Sequence, residues 1–575
     1  MTPMTQEQTP VSRLKAYIPI LGWLPSYQTA WLAADVIAGL TLWGLVVPEA
    51  MAYAGIAGLP PQAGLYTLLA SLVVYALLGS SRHLVVQATS ATSALIASSV
   101  AAALVASAVA VTSDPETYQA YASAFVLVTA LVFLAAGLAR LGFITQFLSK
   151  PVMDGFVLGL ALFVAVSQLN KLFGVPKPDG NTVERFFGIL KELPQANWVT
   201  FAVGAIALAL LFLLPRWNKK SPAGLVVLFG TIGLSAALDL NGKYGVAVVG
   251  ALPQGLPSFV LPRVPFTTYL AMILPAIGAL LVAYSEALGV AREFAEKHGY
   301  EVDPNQELNA HAVANLVSAV FGGMIAGGSM SASAVKEGAG ARTQVTNLVT
   351  WAVTIVTVLF LTPLFATLPE AVLAALIIHA VWHIIVARKL QRIRLVSRTE
   401  FWLGVVALLG VLLIDVLQGM MIGLLASLAL VIYRSSRPHV SSLGRVPRAS
   451  GAYSDLTRHP ENMPVPGVLI LRLDSPMTYY NALTVRDRFR DMIAAAQTPP
   501  RAVILDAAVQ DLLDLTSGEV LKGFVKELQG KGIAVYVAEV HTPVAEFARR
   551  IGLSDLIGES HAFPTVEAAV RSLES

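Results

Sequence analysis

Two glutamates stand inside long apolar stretches of the chain, where a charge is costly. Glu49 lies in GLTLWGLVVPEAMAYAGIAGL and Glu286 in ILPAIGALLVAYSEALGVA. A charged side chain at the centre of a bilayer costs about 3 kcal/mol on insertion scales, and removal from water favours the protonated form of a carboxyl. Both side chains should therefore face a polar cavity, where either could carry a proton; the alternative is a structural carboxylate held by local hydrogen bonds. Pro48, just before Glu49, should kink or break its helix.

Two further segments follow the glutamates in the same order. PEAMAYA (48–54) matches SEALGVA (285–291), and VQATSATSA (86–94) matches IAGGSMSASA (325–334). Each later segment predicts a short strand and then a helix that opens with small hydroxyl residues. Two matches in the same order along the chain indicate an internal duplication. If each half holds an odd number of spans, the two halves run in opposite directions across the membrane.

These predicted helix starts could bind an anion. A helix that begins inside the membrane exposes unpaired N–H groups and the positive end of its dipole, so two such ends form an anion site without a buried cation. Ser90, Thr92 and Ser331 could add hydroxyl donors, and Gly328 allows a close backbone approach. The alternative is that these small residues serve only tight helix packing.

The elements that must position these residues are apolar segments in a strongly hydrophobic chain. Of the 575 residues 55% are hydrophobic and 13% are charged, whereas soluble domains carry roughly 25% charged residues. An ordinary soluble enzyme is therefore excluded, and the absence of cysteine excludes disulfides and thiolate metal sites. The sequence contains no Walker motif, and we expect neither a metal site nor an organic cofactor. We count fourteen segments, at roughly 33–57, 62–79, 90–110, 119–140, 152–172, 197–214, 222–238, 268–292, 306–325, 331–340, 345–363, 370–387, 400–416 and 417–434.

Composition also divides the chain into parts. We expect an N-terminal segment at 1–32, a transport domain at 33–434, a linker at 435–465 and a small α/β domain at 466–575. Lysine and arginine are concentrated in the connections on the side of the N-terminus, above all between 388 and 398, which places that side and both termini in the cytoplasm. In the tail, VLILRL, AVILD and AVYVA predict strands with helices between them.

Several long motifs carry a resemblance to a known family. DVIAGLTLWGLVVPEAMAYAGIAGLPPQAGLY (35–66), GYEVDPNQELNAHAVANLVSAVFGG (299–323) and GGSMSASAVKEGAGARTQ (327–344) resemble the SulP family, the bacterial relatives of the solute-carrier-26 anion transporters. The tail resembles the domain shared by sulfate transporters and anti-sigma-factor antagonists (STAS). Its LDLTSGEVL loop (513–521) resembles a loop phosphorylated in soluble relatives, although a helix cap by Thr516 or Ser517 is the expectation here.

The resemblance implies a polytopic α-helical membrane protein with fourteen segments in a 7+7 inverted repeat. It implies core and gate domains, half-helices in segments 3 and 10, a cytoplasmic STAS domain and a homodimer in the inner membrane. It also implies that Glu49, Glu286, Ser90 and Ser331 line or flank the site. Together with the segments described above, this leads us to expect proton coupling at Glu49 and substrate binding by Ala88, Ser90, Thr92, Gly328, Ser329, Met330, Ser331 and Glu286.

Three positions depart from the family pattern. Many relatives have arginine where Ala332 stands, so a fixed cation is missing there. Glutamine is common at the position of Glu49, so the carboxylate favours proton coupling. Sodium-coupled members have threonine where Val290 stands, so sodium is disfavoured as the coupling ion.

The function that we expect is secondary active transport of a small anion, sulfate or a C4-dicarboxylate such as fumarate, by proton symport and alternating access. An anion exchanger or bicarbonate transporter is the first alternative, and a membrane-anchored STAS signalling scaffold is an alternative of another class. The expected partners are the anion, the lipid bilayer, a second copy of the chain and a cytoplasmic partner of the STAS domain. No nucleic acid is expected.

Overall fold

The computed structural model describes residues 18–574 except 108–113, 144–148, 218–222, 387–388, 448, 450 and 497. The predicted N-terminal segment is therefore described only from residue 18, and Arg388 of the predicted basic connection lies outside the described residues. By residue contacts the chain forms two compact units, the first ending at Ser427 and the second beginning at Leu428.

In its described residues, the first unit is helical and contains one pair of short strands. Its strands are β1 (Val85–Ala88) and β2 (Ala326–Ser329). Its described helices of eight residues or more are α1 (Leu32–Ile56), α2 (Gln62–Leu78), α3 (Ser90–Ala106), α4 (Pro115–Leu138), α5 (Lys150–Phe173), α6 (Thr182–Glu192), α7 (Trp198–Trp217), α8 (Ala223–Leu238), α9 (Ile273–His298), α10 (Pro304–Val320), α11 (Met330–Gly338), α12 (Val345–Val356), α13 (Glu370–Val386), α14 (Lys389–Val396), α15 (Arg398–Leu413) and α16 (Val416–Ser435), the last of which contains the boundary between the units.

Each of the fourteen predicted segments overlaps one of these helices. Among the described residues, seven helices are long and apolar enough to cross a membrane by length and composition, α12 counting through its continuation to Thr367, and several others are shorter and apolar. Helix α11 has nine residues, about 14 Å at 1.5 Å per residue, which is too short to span a bilayer core of about 30 Å.

Small residues allow the helices to approach closely. A methyl group on Gly64 of α2 would meet the backbone of Ala50 in α1, and one on Gly155 of α5 would meet the backbone of Gly404 in α15. Helix association in membranes depends on such close packing, because the lipid tails are as apolar as the helix side chains and no hydrophobic effect drives the helices together. The alanine- and glycine-rich composition of these helices therefore follows from their packing.

The part of the second unit that the structure describes forms a six-stranded sheet with helices. The strand order is β4-β3-β5-β6-β7-β8, with β5 to β8 parallel and β3 antiparallel to both neighbours. The strands are β3 (Val440–Arg445), β4 (Tyr453–Asp455), β5 (Val468–Leu473), β6 (Ala502–Asp506), β7 (Ala534–Ala538) and β8 (Ala562–Phe563). The helices are α17 (Ala482–Ala494), α18 (Leu515–Gly530), α19 (Thr542–Arg550), α20 (Leu553–Ile557) and α21 (Val566–Glu574).

The three strands predicted in the tail are β5, β6 and β7, but two expectations for this region need correction. Strands β3 and β4 lie inside the predicted linker 435–465 and belong to the sheet; serine and glycine obscure the short alternation in β3, which hydrogen bonds to β5 hold in place. The cap of α18 is Asp514 rather than Thr516 or Ser517. Asp514 accepts from the Ser517 N–H, and Ser517 Oγ accepts from the Asp514 N–H in return.

Candidate functional site

Two strands far apart in sequence pair with each other at the centre of the site. β1 runs antiparallel to β2, with Val85 opposite Ser329 and Ala88 opposite Ala326. Every residue of both strands is buried. Helix α3 begins just after β1 and helix α11 just after β2, so the predicted arrangement of a strand followed by a helix is present in both segments.

The N-terminus of α3 is closed by a reciprocal cap. The Thr89 hydroxyl accepts from the Thr92 N–H (3.2 Å), and Thr92 Oγ1 accepts from the Thr89 N–H (3.0 Å). Thr92 is fully buried and its hydroxyl is used in this cap rather than presented to a ligand. Ser90, the first residue of α3, is partly exposed, and Ala88 is buried at the end of β1.

The N-terminus of α11 is capped from β2. Ser329 Oγ accepts from the Ala332 N–H (3.3 Å) and lies 3.2 Å from Ser331 Oγ. Ser331 is partly exposed and Met330 is 41% exposed. Ala332, where the sequence lacks a cation, is buried.

Glu49 lies in α1 beside β1. Its Oε2 accepts from Gln87 Nε2 at 3.0 Å, and the side chain is 6% exposed. Helix α1 runs unbroken from Leu32 to Ile56 through Pro48, so the expected break next to Glu49 does not occur. The proline still removes one N–H donor from the helix ladder, and packing against neighbouring helices keeps the chain helical.

Glu286 approaches the same region from α9. Its Oε2 lies 3.5 Å from Thr89 Oγ1, the hydroxyl that caps α3. The next residue, Ala287, packs directly on Gly328, where a side chain would collide with the backbone of α9. Gly328 thus sets the distance between β2 and the helix that carries Glu286.

The arrangement combines hydrogen-bond donors with two carboxyl groups. Two helix N-termini bring partial positive charge, and Ser90 and Ser331 have partly exposed positions there. The carboxylates add negative charge that an anion must tolerate, unless they are protonated. The geometry therefore places hydrogen-bond donors suited to an anion next to two acidic side chains.

Several residues of this region were missed or misplaced by sequence reasoning. Gln87 was not singled out, although a lone amide in an apolar strand was a usable signal. Lys336 was not singled out either, and it is fully buried and donates from Nζ to Gln344 Oε1 (3.2 Å). It falls four residues after Ala332, on the buried face of α11. Asp35 is also fully buried, and its carboxylate accepts hydrogen bonds from the backbone N–H groups of Arg342 and Thr343 and from the hydroxyls of Thr343 and Thr346.

Comparison with known proteins decides the family. A family model described as the sulfate permease family matches residues 32–407, which is more than half of the chain. The chain belongs to the sulfate permease family. A second family model, the STAS domain, matches residues 459–569. A probable sulfate transporter of Mycobacterium tuberculosis is 34% identical over 557 residues, covering 96% of this chain and 98% of the relative. Sulfate transporter 1.2 of Arabidopsis thaliana is 30% identical and covers 97% and 88%.

Solved structures share the fold. The murine solute carrier 26 family member A9 anion transporter, in its inward-facing state, superimposes with a TM-score of 0.89 at 24% identity, covering 100% of this chain and 96% of that chain. The transmembrane domain of the cyanobacterial bicarbonate transporter BicA gives 0.60 at 22% identity, covering 70% and 98%. This sulfate permease family member is a multi-pass membrane anion transporter with a STAS domain, and it is not an enzyme.

Proposed function

We propose that the protein is a proton-coupled symporter of a small oxyanion and that Glu49 carries the proton. The observation that carries the proposal is the position of Glu49: a buried carboxyl beside the strand pair that leads into both helix N-termini, with one hydrogen bond from the described residues. A protonated Glu49 would remove a negative charge from the neighbourhood of an incoming anion, so proton and anion would bind more favourably together than apart.

The anion would bind at the N-termini of α3 and α11. Backbone N–H groups and the hydroxyls of Ser90 and Ser331 are the proposed donors, with Ala88, Gly328, Ser329 and Met330 shaping the site and Glu286 at its side. Thr92 would act through the cap that fixes the start of α3.

The first substrate to test is sulfate, because the relatives in M. tuberculosis and A. thaliana are named as sulfate transporters. Fumarate and bicarbonate are the competing candidates. Coupling to sodium is disfavoured by Val290, and no cofactor other than the proton is proposed.

The wider architecture is part of the same proposal. The transport unit would be a 7+7 inverted repeat in which a core domain rocks against a gate domain, and the working form would be a homodimer in the inner membrane with both termini in the cytoplasm. The STAS domain would bind a cytoplasmic partner.

Uptake into proteoliposomes tests the function. We expect radiolabelled sulfate to accumulate under an inward proton gradient, and unlabelled fumarate or bicarbonate to compete if it shares the site. Glu49→Gln should abolish the response to the gradient. Uptake that ignores the gradient in the unsubstituted protein would refute symport and favour exchange, which sulfate–sulfate counterflow would then reveal. If no anion moves in either assay, the proposed transport activity is wrong.

A further inference from the structure

Gln87 occupies a position from which one side chain reaches two parts of the site. It is the third residue of β1 and is fully buried. The residue opposite it in the register is Gly327, which has no side chain. Gln87 Nε2 donates to Glu49 Oε2 at 3.0 Å and to Ser329 Oγ at 3.3 Å. The diagonal relation between Gln87 and Ser329 across the strand pair allows this second contact.

The other end of the same amide is unpaired. Gln87 Oε1 is buried and has no hydrogen-bond partner among the described residues. A buried acceptor without a partner is destabilising, so its retention calls for an explanation other than folding. The explanation that we favour is the contact made by the other end of the amide, which links the carboxyl of Glu49 to Ser329, the cap of α11.

We propose that Gln87 is a positioning residue that transmits the charge state of Glu49 to Ser329 at the anion site. This inference rests on the proposed function. When Glu49 is ionised, its charge-assisted hydrogen bond holds the amide strongly, and the carboxylate lies one side chain away from Ser329. When Glu49 takes up a proton from solution, that bond becomes a neutral one. The amide is then free to follow Ser329 and Ser331, whose hydroxyls lie 3.2 Å apart, as they turn to an anion.

Other charged groups near α1 do not offer the same link. Of the helices packed against α1, α11 carries Lys336 and Glu337, and α13 carries Glu370, His379 and His383. The ring of His379 packs against Phe212. Glu337 pairs with Lys297 and His298, Glu370 with Lys171, and Lys336 donates to Gln344. Glu286 on α9 is the second carboxyl of the site, and it contacts Thr89 rather than Gln87. The bridge through Gln87 is thus the direct path, within the described residues, from Glu49 to the cap of α11.

The test substitutes the bridge by an apolar side chain of similar length. Gln87→Met removes both hydrogen bonds, and Gln168→Met is the matched control, because Gln168 is a buried glutamine of α5 that bonds to Ser167. The apparent KM for sulfate uptake is measured at high and low pH in proteoliposomes. For the unsubstituted protein and for Gln168→Met we expect KM to fall about tenfold between about pH 8 and about pH 6, within the usual range of coupling between two sites.

For Gln87→Met we expect the ratio of KM at high pH to KM at low pH to be less than about twofold, and we expect kcat to change less than KM. Gln87→Asn keeps an amide that is one methylene too short to bridge, so it should lose the KM shift as well and supplies the test if the methionine variant does not fold. A normal KM shift in either Gln87 variant overturns the inference for Gln87 alone. A KM that does not depend on pH in the unsubstituted protein overturns the proposed function, and this inference with it.

Discussion

The contact between Gly328 and Ala287 makes a sharp prediction about the spacing of the site. A methyl group at residue 328 would lie closest to Ala287 Cα, 2.8 Å from Ala287 Cβ and 3.1 Å from Ala287 N. Because the neighbour is largely helix backbone, no side-chain rotation relieves the contact, and α9 must move by about 1 Å to restore ordinary packing. Such overpacking costs about 1–3 kcal/mol.

Part of this overpacking cost should lower the rate of transport, because Glu286 lies on α9, the helix that must move. Its contact with Thr89 is already 3.5 Å long, so a shift of α9 away from Thr89 would break it. If the whole cost falls on the transporting state, kcat/KM for anion uptake drops by a factor of roughly 5 to 150. The assay is uptake by Gly328→Ala in proteoliposomes, normalised to the folded fraction from size-exclusion chromatography.

Gly327→Ala is the matched control for the same methyl group in the same strand. Its nearest contact is 3.3 Å to the side chain of Ala283, which yields by tenths of an ångström. We expect it to keep uptake within about twofold, a change of less than 0.5 kcal/mol. Equal activity of the two variants, whether both normal or both lost, would refute the reasoning about the Gly328 contact.

Two further predictions concern packing and capping elsewhere. Gly64→Ala should lower the thermal stability of the detergent-solubilised protein by several degrees, because its methyl group meets the backbone of Ala50; Gly224→Ala, with nothing within 4 Å, should leave stability unchanged or raise it slightly. Burial acts to raise the pKa of Asp514, but hydrogen bonds from backbone N–H groups hold it below its usual value. The cap therefore stabilises α18 above the unfolded-state pKa of about 4, and this stabilisation is lost as pH falls through the lowered pKa. Asp514→Ala should lower the free energy of local opening of α18 by about 1 kcal/mol at neutral pH. Hydrogen exchange of the backbone amides in 515–530 should therefore be faster than in the unsubstituted protein, and an equal exchange rate would refute the cap.

Sequence reasoning was strongest for features that depend on local pattern. Runs of apolar residues located fourteen of the helices, most of them to within four residues at each end, although 268–292 is displaced from α9 by five to six residues. Apolar runs also located β5, β6 and β7. Contacts between residues that are distant in sequence could not be predicted in this way. The pairing of β1 with β2 joins residues 85–88 to 326–329, and only that pairing brings Gln87 to Ser329. The same holds for Lys336, whose burial follows from tertiary packing of one face of α11 and not from its own sequence context.

The buried acids separate into two groups by the hydrogen bonds they accept, and the sequence could not distinguish these groups. Glu307 is fully buried and accepts from Tyr75 OH and from the N–H and hydroxyl of Ser80, and Asp35 is held by a similar set of donors. Glu49 and Glu286 each have one such bond from the described residues. A carboxylate whose oxygens are satisfied by fixed donors stabilises the fold, because its removal leaves several donors unpaired.

A carboxyl with spare acceptor capacity contributes less to folding and is free to exchange protons or contact a ligand. We therefore expect Asp35→Ala and Glu307→Ala to lower the melting temperature strongly, since each buried donor that loses its partner costs about 1–3 kcal/mol. Glu49→Gln and Glu286→Gln should shift it little while altering transport. Differential scanning fluorimetry of the four variants, with uptake measured on the same preparations, makes the comparison. If the two glutamine variants melt as early as the two alanine variants, the carboxyl groups of Glu49 and Glu286 are structural, and the proton must be carried elsewhere.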